Sequence, residues 1–280
     1  MNNNNAPVGR RGRYHAPLRA LLRRSAAGLL RHLLPNACAL CGGDSDDALC
    51  PGCEAQFFGP DAAVPRCMRC ANPLPVASPS QASGAGPAGP PSLLLPPSAM
   101  QLCGVCLADA PAFDRTVVAA DYALPLDQLV LQLKFGHRLA LAPLCARLLR
   151  DAVQQAPDVT LPALLCPVPL GPRRLAERGY NQALEIARPL ARSLGLALHA
   201  QLVLRVHDTA AQSSVAPDRR QHNIAGAFAV PDAALVAGRH IGVVDDVMTS
   251  GRTLNELAAT LKRHGAARIT NLVFARTPPH

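Results

Sequence analysis

Four Cys-x-x-Cys pairs lie between residues 38 and 106 of this 280-residue chain: Cys38/Cys41, Cys50/Cys53, Cys67/Cys70 and Cys103/Cys106. Each pair sets two thiolates one tight turn apart, so both sulfurs can bind one tetrahedral Zn²⁺ at about 2.3 Å. Eight ligands make two Cys₄ sites. Such sites have no open coordination position, so both zincs are expected to be structural. Neighbouring pairs share a metal most simply: Cys38, Cys41, Cys50 and Cys53 in one site, Cys67, Cys70, Cys103 and Cys106 in the other. Spacing alone leaves an interleaved pairing open. Substituting Cys38 or Cys103 is expected to destabilise the N-terminal part without rebuilding sites elsewhere.

The compartment enters the same inference. No window reaches the roughly 18 uninterrupted apolar residues of a membrane span. Arg19, Arg23, Arg24 and Arg31 break the apolar run that a secretory signal needs. A cytoplasmic location without stable membrane insertion is expected. In that reducing environment ten cysteines point to metal rather than to disulfides. Cys145 and Cys166 stand alone in apolar surroundings and read as ordinary buried residues.

The net charge of +9 suggests nucleic acid until it is located, for seven arginines and no acid fall before residue 36. Only this N-terminal arm is basic; the rest is nearly neutral. With no Trp, three Tyr and six Phe, the chain is also poor in base-stacking platforms for single strands. Residues 1–35 read as a basic disordered tail followed by an amphipathic helix, with leucines at 18, 21, 22, 29, 30, 33 and 34. Residues 36–112 hold the cysteine pairs, and within them 73–98 form a Pro-rich insertion that cannot build a core.

From residue 113 the pattern alternates between strands and helices. Thr116–Ala120, Leu164–Pro169, Ala227–Val230, His240–Val244 and Ile269–Phe274 read as strands. A leucine-rich stretch from Asp127 towards Arg150, then Gln182–Leu194 and Leu254–His264, read as helices. The alternation predicts an α/β domain over 113–280, a parallel sheet flanked by helices. Ligands of such sheets sit in loops at the carboxyl ends of the strands.

One stretch, Val243-Val-Asp245-Asp246-Val-Met-Thr249-Ser250-Gly251-Arg252-Thr253-Leu254, fits that expectation. A buried strand delivers two acids, then a Thr-Ser-Gly turn opens a helix. Amides at a helix N-terminus favour an anion. Gly251 permits close backbone approach, and Thr249, Ser250 and Thr253 add hydroxyl donors. The cradle suits one phosphate. The carboxylates need a partner beside it, which a sugar diol and Mg²⁺ supply, so the implied ligand is a phosphorylated ribose. The Walker lysine is missing.

This stretch resembles the phosphoribosyl-diphosphate (PRPP) motif of type I phosphoribosyltransferases, a Rossmann-like fold. The wider chain resembles the ComF family of competence and GntX-like proteins, whose double zinc ribbon precedes such a domain. The resemblance runs from about Leu29 through the cysteine pairs, Leu133-Lys134-Phe135, Val168-Pro169-Leu170, Arg178–Gln182 and Arg220-x-x-Asn223. It implies that Asp245 and Asp246 hold the ribose hydroxyls as the catalytic acids and that residues Thr249 to Thr253, Arg252 included, hold the 5′-phosphate. It also implies a link to DNA uptake, with single-stranded DNA or competence-machinery proteins as partners.

Further basic residues are candidates for pyrophosphate or for loop closure. Arg173, Arg174 and Arg178, with Asn181, lie on a stretch read as a loop, either a forked pyrophosphate clamp or a solvated charged segment. Lys134 is a candidate for the anion pocket. Residues 205–223, with Arg219, Arg220 and Asn223, are either the counterpart of a loop that closes over the site in related transferases or an idle loop. Transfer of ribose 5-phosphate to an unidentified acceptor, sensing of PRPP without catalysis, and a DNA-binding accessory role are the readings the sequence supports.

Overall fold

The computed structural model describes residues 36–62, 64–75, 101–206 and 226–278. The expected tail and leucine-rich helix, most of the Pro-rich insertion, and Arg219, Arg220 and Asn223 lie outside these residues. The chain forms two compact units, one up to Pro51 and one from Gly52 onward.

In the first unit, β1 (Asn36–Ala37) pairs antiparallel with β2 (Asp44–Ser45). Between them the Cys38 amide donates to the Gly43 carbonyl at 2.7 Å, and the Gly42 amide to the Cys38 carbonyl at 2.9 Å. Gly42 takes φ +74°, the left-handed region that costs glycine nothing.

The second unit repeats this knuckle. The Cys67 amide donates to the Asn72 carbonyl and the Ala71 amide to the Cys67 carbonyl, both at 2.8 Å. Here Ala71 occupies the left-handed position, at φ 56°. The second pair of each set opens a helix. Cys50 precedes α1 (Pro51–Phe58), which carries Cys53, and Cys103 caps α2 (Gly104–Ala108), which carries Cys106. The cysteine pairs are thus two copies of one device, turn then helix.

After α2 come β3 (Arg115–Asp121), α3 (Asp127–Lys134), α4 (Ala142–Gln155), β4 (Leu164–Pro167), α5 (Pro172–Arg178), α6 (Gln182–Leu194) and β5 (Ala197–Leu198). Then follow β6 (Leu204–Arg205), β7 (Phe228–Ala229), β8 (His240–Met248), α7 (Arg252–Arg263) and β9 (Arg268–Arg276). Five strands form one parallel sheet in the order β3-β9-β8-β4-β5, and β6 and β7 pair separately. The expected parallel α/β architecture is the one that forms. Helices α4 and α6 pack together on one side. Leu254, Leu257, Ala258 and Leu261 of α7 share a core with Val243, Ile269 and Val273, and with Cys67, Cys70 and Cys106. Burial of each such leucine contributes roughly 1.5–3 kcal/mol. The connection from β4 runs outward to β5 and that from β8 runs the other way to β9. Their neighbouring carboxyl ends are therefore the switch point, where parallel sheets bind ligands.

Three segments differ from the sequence reading. The leucine-rich stretch is two helices, because the chain turns at Gly136 and at His137, which takes φ 54°. β8 does not stop at Val244 but runs through both acids to Met248, since Asp245, Val247 and Met248 pair with Val273, Ala275 and Arg276. The stretch with three arginines is helix α5, not a loop. Pro172 starts it, Gly179 ends it at φ +78°, and Arg173 pairs with Glu177 one turn on at 2.9 Å.

Candidate functional site

The cysteine centres assemble as neighbouring pairs, which closes the question that spacing leaves open. The Sγ atoms of Cys67, Cys70, Cys103 and Cys106 lie within 4.8 Å of one another, as do those of Cys38, Cys41 and Cys50 in the first unit, which leaves Cys53 to complete the first set. Burial raises the Cys38 thiol, but the amides of Cys41 and Cys50 outweigh it and hold the group down at about 6. Burial likewise raises Cys67, and the amides of Cys70 and Cys103 bring it down to about 7. Burial raises the Cys70 and Cys106 thiols of the second centre, and what fits a tetrahedral zinc ribbon is the convergence of four sulfurs. Cys145 and Cys166 are fully buried, and burial pushes both thiols up to about 12.

At the switch point β8 hands over to α7 through Thr249, Ser250 and Gly251. Thr249 and Ser250 are exposed, Arg252 is exposed at the first helical position, and Thr253 is half-buried. Gly251 caps the helix at φ +78°, and a Cβ there would meet the Met248 Cε at 2.5 Å. The two acids precede this turn. Asp245 Oδ1 accepts from the Asp246 amide at 2.9 Å, and Asp246 Oδ1 accepts from the Val247 amide at 2.8 Å. Burial, and then the negative charge of Asp246, push the Asp245 carboxyl well above the usual carboxylate range. Lys134, at the end of α3, opposes this, its Nζ lying 3.1 Å from Asp246 Oδ2.

The other candidates divide. Arg178 leaves the last turn of α5 and places its guanidinium 5.2 Å from the centre of the exposed Phe135 ring, beside Lys134. Tyr180 donates to the Leu133 carbonyl and meets His137 edge-on at 5.8 Å. Asn181 is the cap of α6. Its Oδ1 accepts from the Ala183 amide at 3.0 Å and its Nδ2 donates to the Val168 carbonyl at 2.9 Å. Arg173 and Arg174 are exposed along α5, where Arg173 pairs with Glu177.

One residue escaped the sequence reading. Arg276, at the end of β9, is 6% exposed. Its Nε donates to the Cys70 carbonyl at 3.1 Å. Its Nη1, with two N–H groups, shares them among three carbonyls, those of Met248 (3.1 Å), Thr277 (2.6 Å) and Thr249. The signal was a lone arginine closing the apolar run Leu272–Ala275, since a buried cation must find acceptors.

Residues 181–279 match the family model of the phosphoribosyl transferase domain, and residues 29–85 match that of the double zinc ribbon domain. The DNA utilization protein YhgH of Salmonella typhi is 40% identical over 194 residues, covering 68% of this chain and 81% of the relative. YhgH of Escherichia coli K12 is 39% identical over 178 residues, 62% of this chain and 78% of that one. Competence protein F of Haemophilus influenzae is 30% identical over 246 residues, 85% and 96% of the two chains. With both halves of the pattern present in one chain, and relatives matched over most of their length, the protein belongs to the ComF/YhgH family, which joins a double zinc ribbon to a phosphoribosyltransferase-type domain.

Proposed function

We propose that the carboxyl ends of β4 and β8 bind PRPP with Mg²⁺, and that the protein transfers ribose 5-phosphate to an acceptor in the course of DNA utilization. The observation that carries this reading is the open Thr249–Gly251 turn, set between Asp245 and Asp246 on one side and the start of α7 on the other. Loop amides and the hydroxyls of Thr249, Ser250 and Thr253 receive the 5′-phosphate. The dipole of α7 adds roughly 0.3–1 kcal/mol. Asp245 and Asp246 accept hydrogen bonds from the ribose hydroxyls. Mg²⁺, when bound, offsets the charge of these carboxylates and of the pyrophosphate.

In the transfer, the bond from the ribose C1 to pyrophosphate breaks and pyrophosphate leaves with the electron pair. The acceptor forms the new bond to C1 and releases its proton to solvent. Carboxylates beside a ribose that gains positive charge at C1 lower that transition state. Lys134 and Arg178 are the cations offered to pyrophosphate, with Arg173 a lesser candidate. Residues 205–223, carrying Arg219, Arg220 and Asn223, are assigned to closing the site against water.

In this reading residues 36–112 are the ribbon domain, with two structural Zn²⁺, and residues 113–280 are the transferase domain. The location is cytoplasmic, where the thiols stay reduced. The basic arm is offered to single-stranded DNA on its charge alone, while the relatives' names, a DNA utilization protein and a competence protein, support a link to DNA in general.

Calorimetry of zinc-replete protein with PRPP, with and without Mg²⁺, tests the site. No binding to folded protein would sink the reading. Pyrophosphate release across candidate acceptors then separates a transferase from a sensor, which binds without release.

A further inference from the structure

We infer that Arg276 is a positioning residue that makes the shape of the phosphate loop depend on metal in the second cysteine centre. The inference rests on the phosphoribosyl reading above. Arg276 lies in a different strand from the loop and far in sequence from the cysteines, yet its guanidinium touches both. On one side Nε holds the carbonyl of Cys70, itself a member of the Cys67/Cys70/Cys103/Cys106 set. On the other, Nη1 reaches the carbonyls of Met248 and Thr249, the first shared with the Thr277 amide at 3.0 Å.

The peptide group explains why those two carbonyls matter. In a trans peptide the C=O and the following N–H point in opposite directions. Fixing the Met248 carbonyl inward therefore turns the Thr249 amide outward. Fixing the Thr249 carbonyl inward does the same for the Ser250 amide. These are the first two amides of the phosphate cradle. A planar fork suits this task because its nitrogens are held at fixed angles, whereas a lysine offers one point charge.

The Cys70 carbonyl is held in turn by the knuckle. Its neighbour Ala71 donates to the Cys67 carbonyl at 2.8 Å, and the Cys70 and Cys103 sulfurs are 3.5 Å apart. A Zn²⁺ held by Cys67, Cys70, Cys103 and Cys106 would lock this arrangement. Without it the knuckle and the Cys103 arm would keep only contacts such as the Met68 amide to the Gln101 carbonyl at 3.0 Å, so the Cys70 carbonyl would be held less firmly and with it the angle of Arg276. The sequence reading treated the cysteine centres as independent of the phosphate loop. Arg276 joins one of them to it.

The test is a cycle on the full chain, read by calorimetry below the melting temperature with inorganic phosphate and with PRPP and Mg²⁺. Arg276→Lys is expected to weaken both ligands about ten-fold. Cys103→Ser, verified by elemental analysis to have lost one zinc, is expected to weaken both about ten-fold in the parent. In the Arg276→Lys background it should add no more than about two-fold, because the two changes cut one link. If a variant fails to fold, phosphate affinity of the parent is measured before and after chelation of its zinc, with the same ten-fold loss expected. A purely structural role for Arg276 predicts lower melting temperatures with unchanged affinities, which would overturn the inference. So would losses that multiply in the double variant, or unchanged affinity after chelation. Failure of the parent to bind either ligand would instead overturn the phosphoribosyl reading itself, and this inference with it.

Discussion

Lys134 Nζ lies 3.1 Å from Oδ2 of Asp246, with only 22% of the lysine side chain and 10% of the aspartate side chain exposed. The pair joins the end of α3 to the strand that carries both acids. A lysine here restrains the repulsion between Asp245 and Asp246 before any ligand arrives.

Removing one partner of a mostly buried pair leaves the other uncompensated. Lys134→Met is therefore expected to destabilise the protein by about 1–3 kcal/mol, less than a fully buried pair would lose. Adding Asp246→Asn should recover most of that loss, because the stranded charge is gone. Urea unfolding of the two singles and the double checks this, and simple additivity would contradict it.

Ligand binding separates the phosphate cradle from the acids. Gly251→Val places a branched side chain at φ +78°, against Met248, and is expected to abolish binding of both PRPP and phosphate. Asp245→Asn and Asp246→Asn each remove a charge-assisted contact of about 1.5–3 kcal/mol. Each should weaken PRPP roughly ten- to a hundred-fold while phosphate still binds. Calorimetry on the parent and three variants would reveal equal effects on both ligands, the result that contradicts this division.

Elemental analysis should find two zinc ions per chain. Gly42→Ala should lower stability by about 1 kcal/mol without loss of metal, since alanine pays the left-handed penalty that glycine avoids. The second knuckle already carries that residue type at the matching position, Ala71 at φ 56°. Loss of the first zinc in the Gly42→Ala protein would show the knuckles to be less alike than their hydrogen bonds are.

Deleting residues 1–35 removes seven of the nine net positive charges. DNA affinity at low salt should fall, and the dependence of log affinity on log salt should flatten. An unchanged slope in a filter-binding titration would move the contact surface elsewhere.

His240 gives a pH signature. Its Nε2 lies 2.8 Å from Thr270 Oγ1. Burial, and then the charge of Arg268, hold its pKa below 6.5, partly opposed by Asp114. The unfolded chain therefore takes up this proton first as pH falls. The contribution of His240 to stability is full above about pH 6.5 and declines below it, down to the folded pKa. Denaturant midpoints of the parent between pH 5 and 8 should show this decline, and His240→Gln should flatten it.

The helix Gln182–Leu194 was legible because its ends carry their own signals, Asn181 as cap and Gly195 at φ +68°. The strand–turn–helix around Thr249–Gly251 was legible because strand, acids, glycine and helix follow one another without a gap. Helix α5 was misread although Pro172 and Gly179 mark its ends. Its seven residues bury no side chain, so no apolar period stood out. Arg276 could be flagged but not placed. Its partner Cys70 is 206 residues away, and only the folded sheet brings the two together.

The strand order also sets a timetable for synthesis. β9 lies between β3 and β8, and Asn271 meets its β3 partner Thr116 across 155 residues of chain. At ribosomal speeds of 5–20 residues per second, β3 waits roughly 8–30 s for its neighbour. Throughout that interval its edge has no strand beside it, while the cysteine knuckles, made earlier, are free to take up metal. A nascent chain short of metal would face this wait without a finished N-terminal module, so scarcity of zinc should first appear as aggregation during translation rather than as an inactive folded protein.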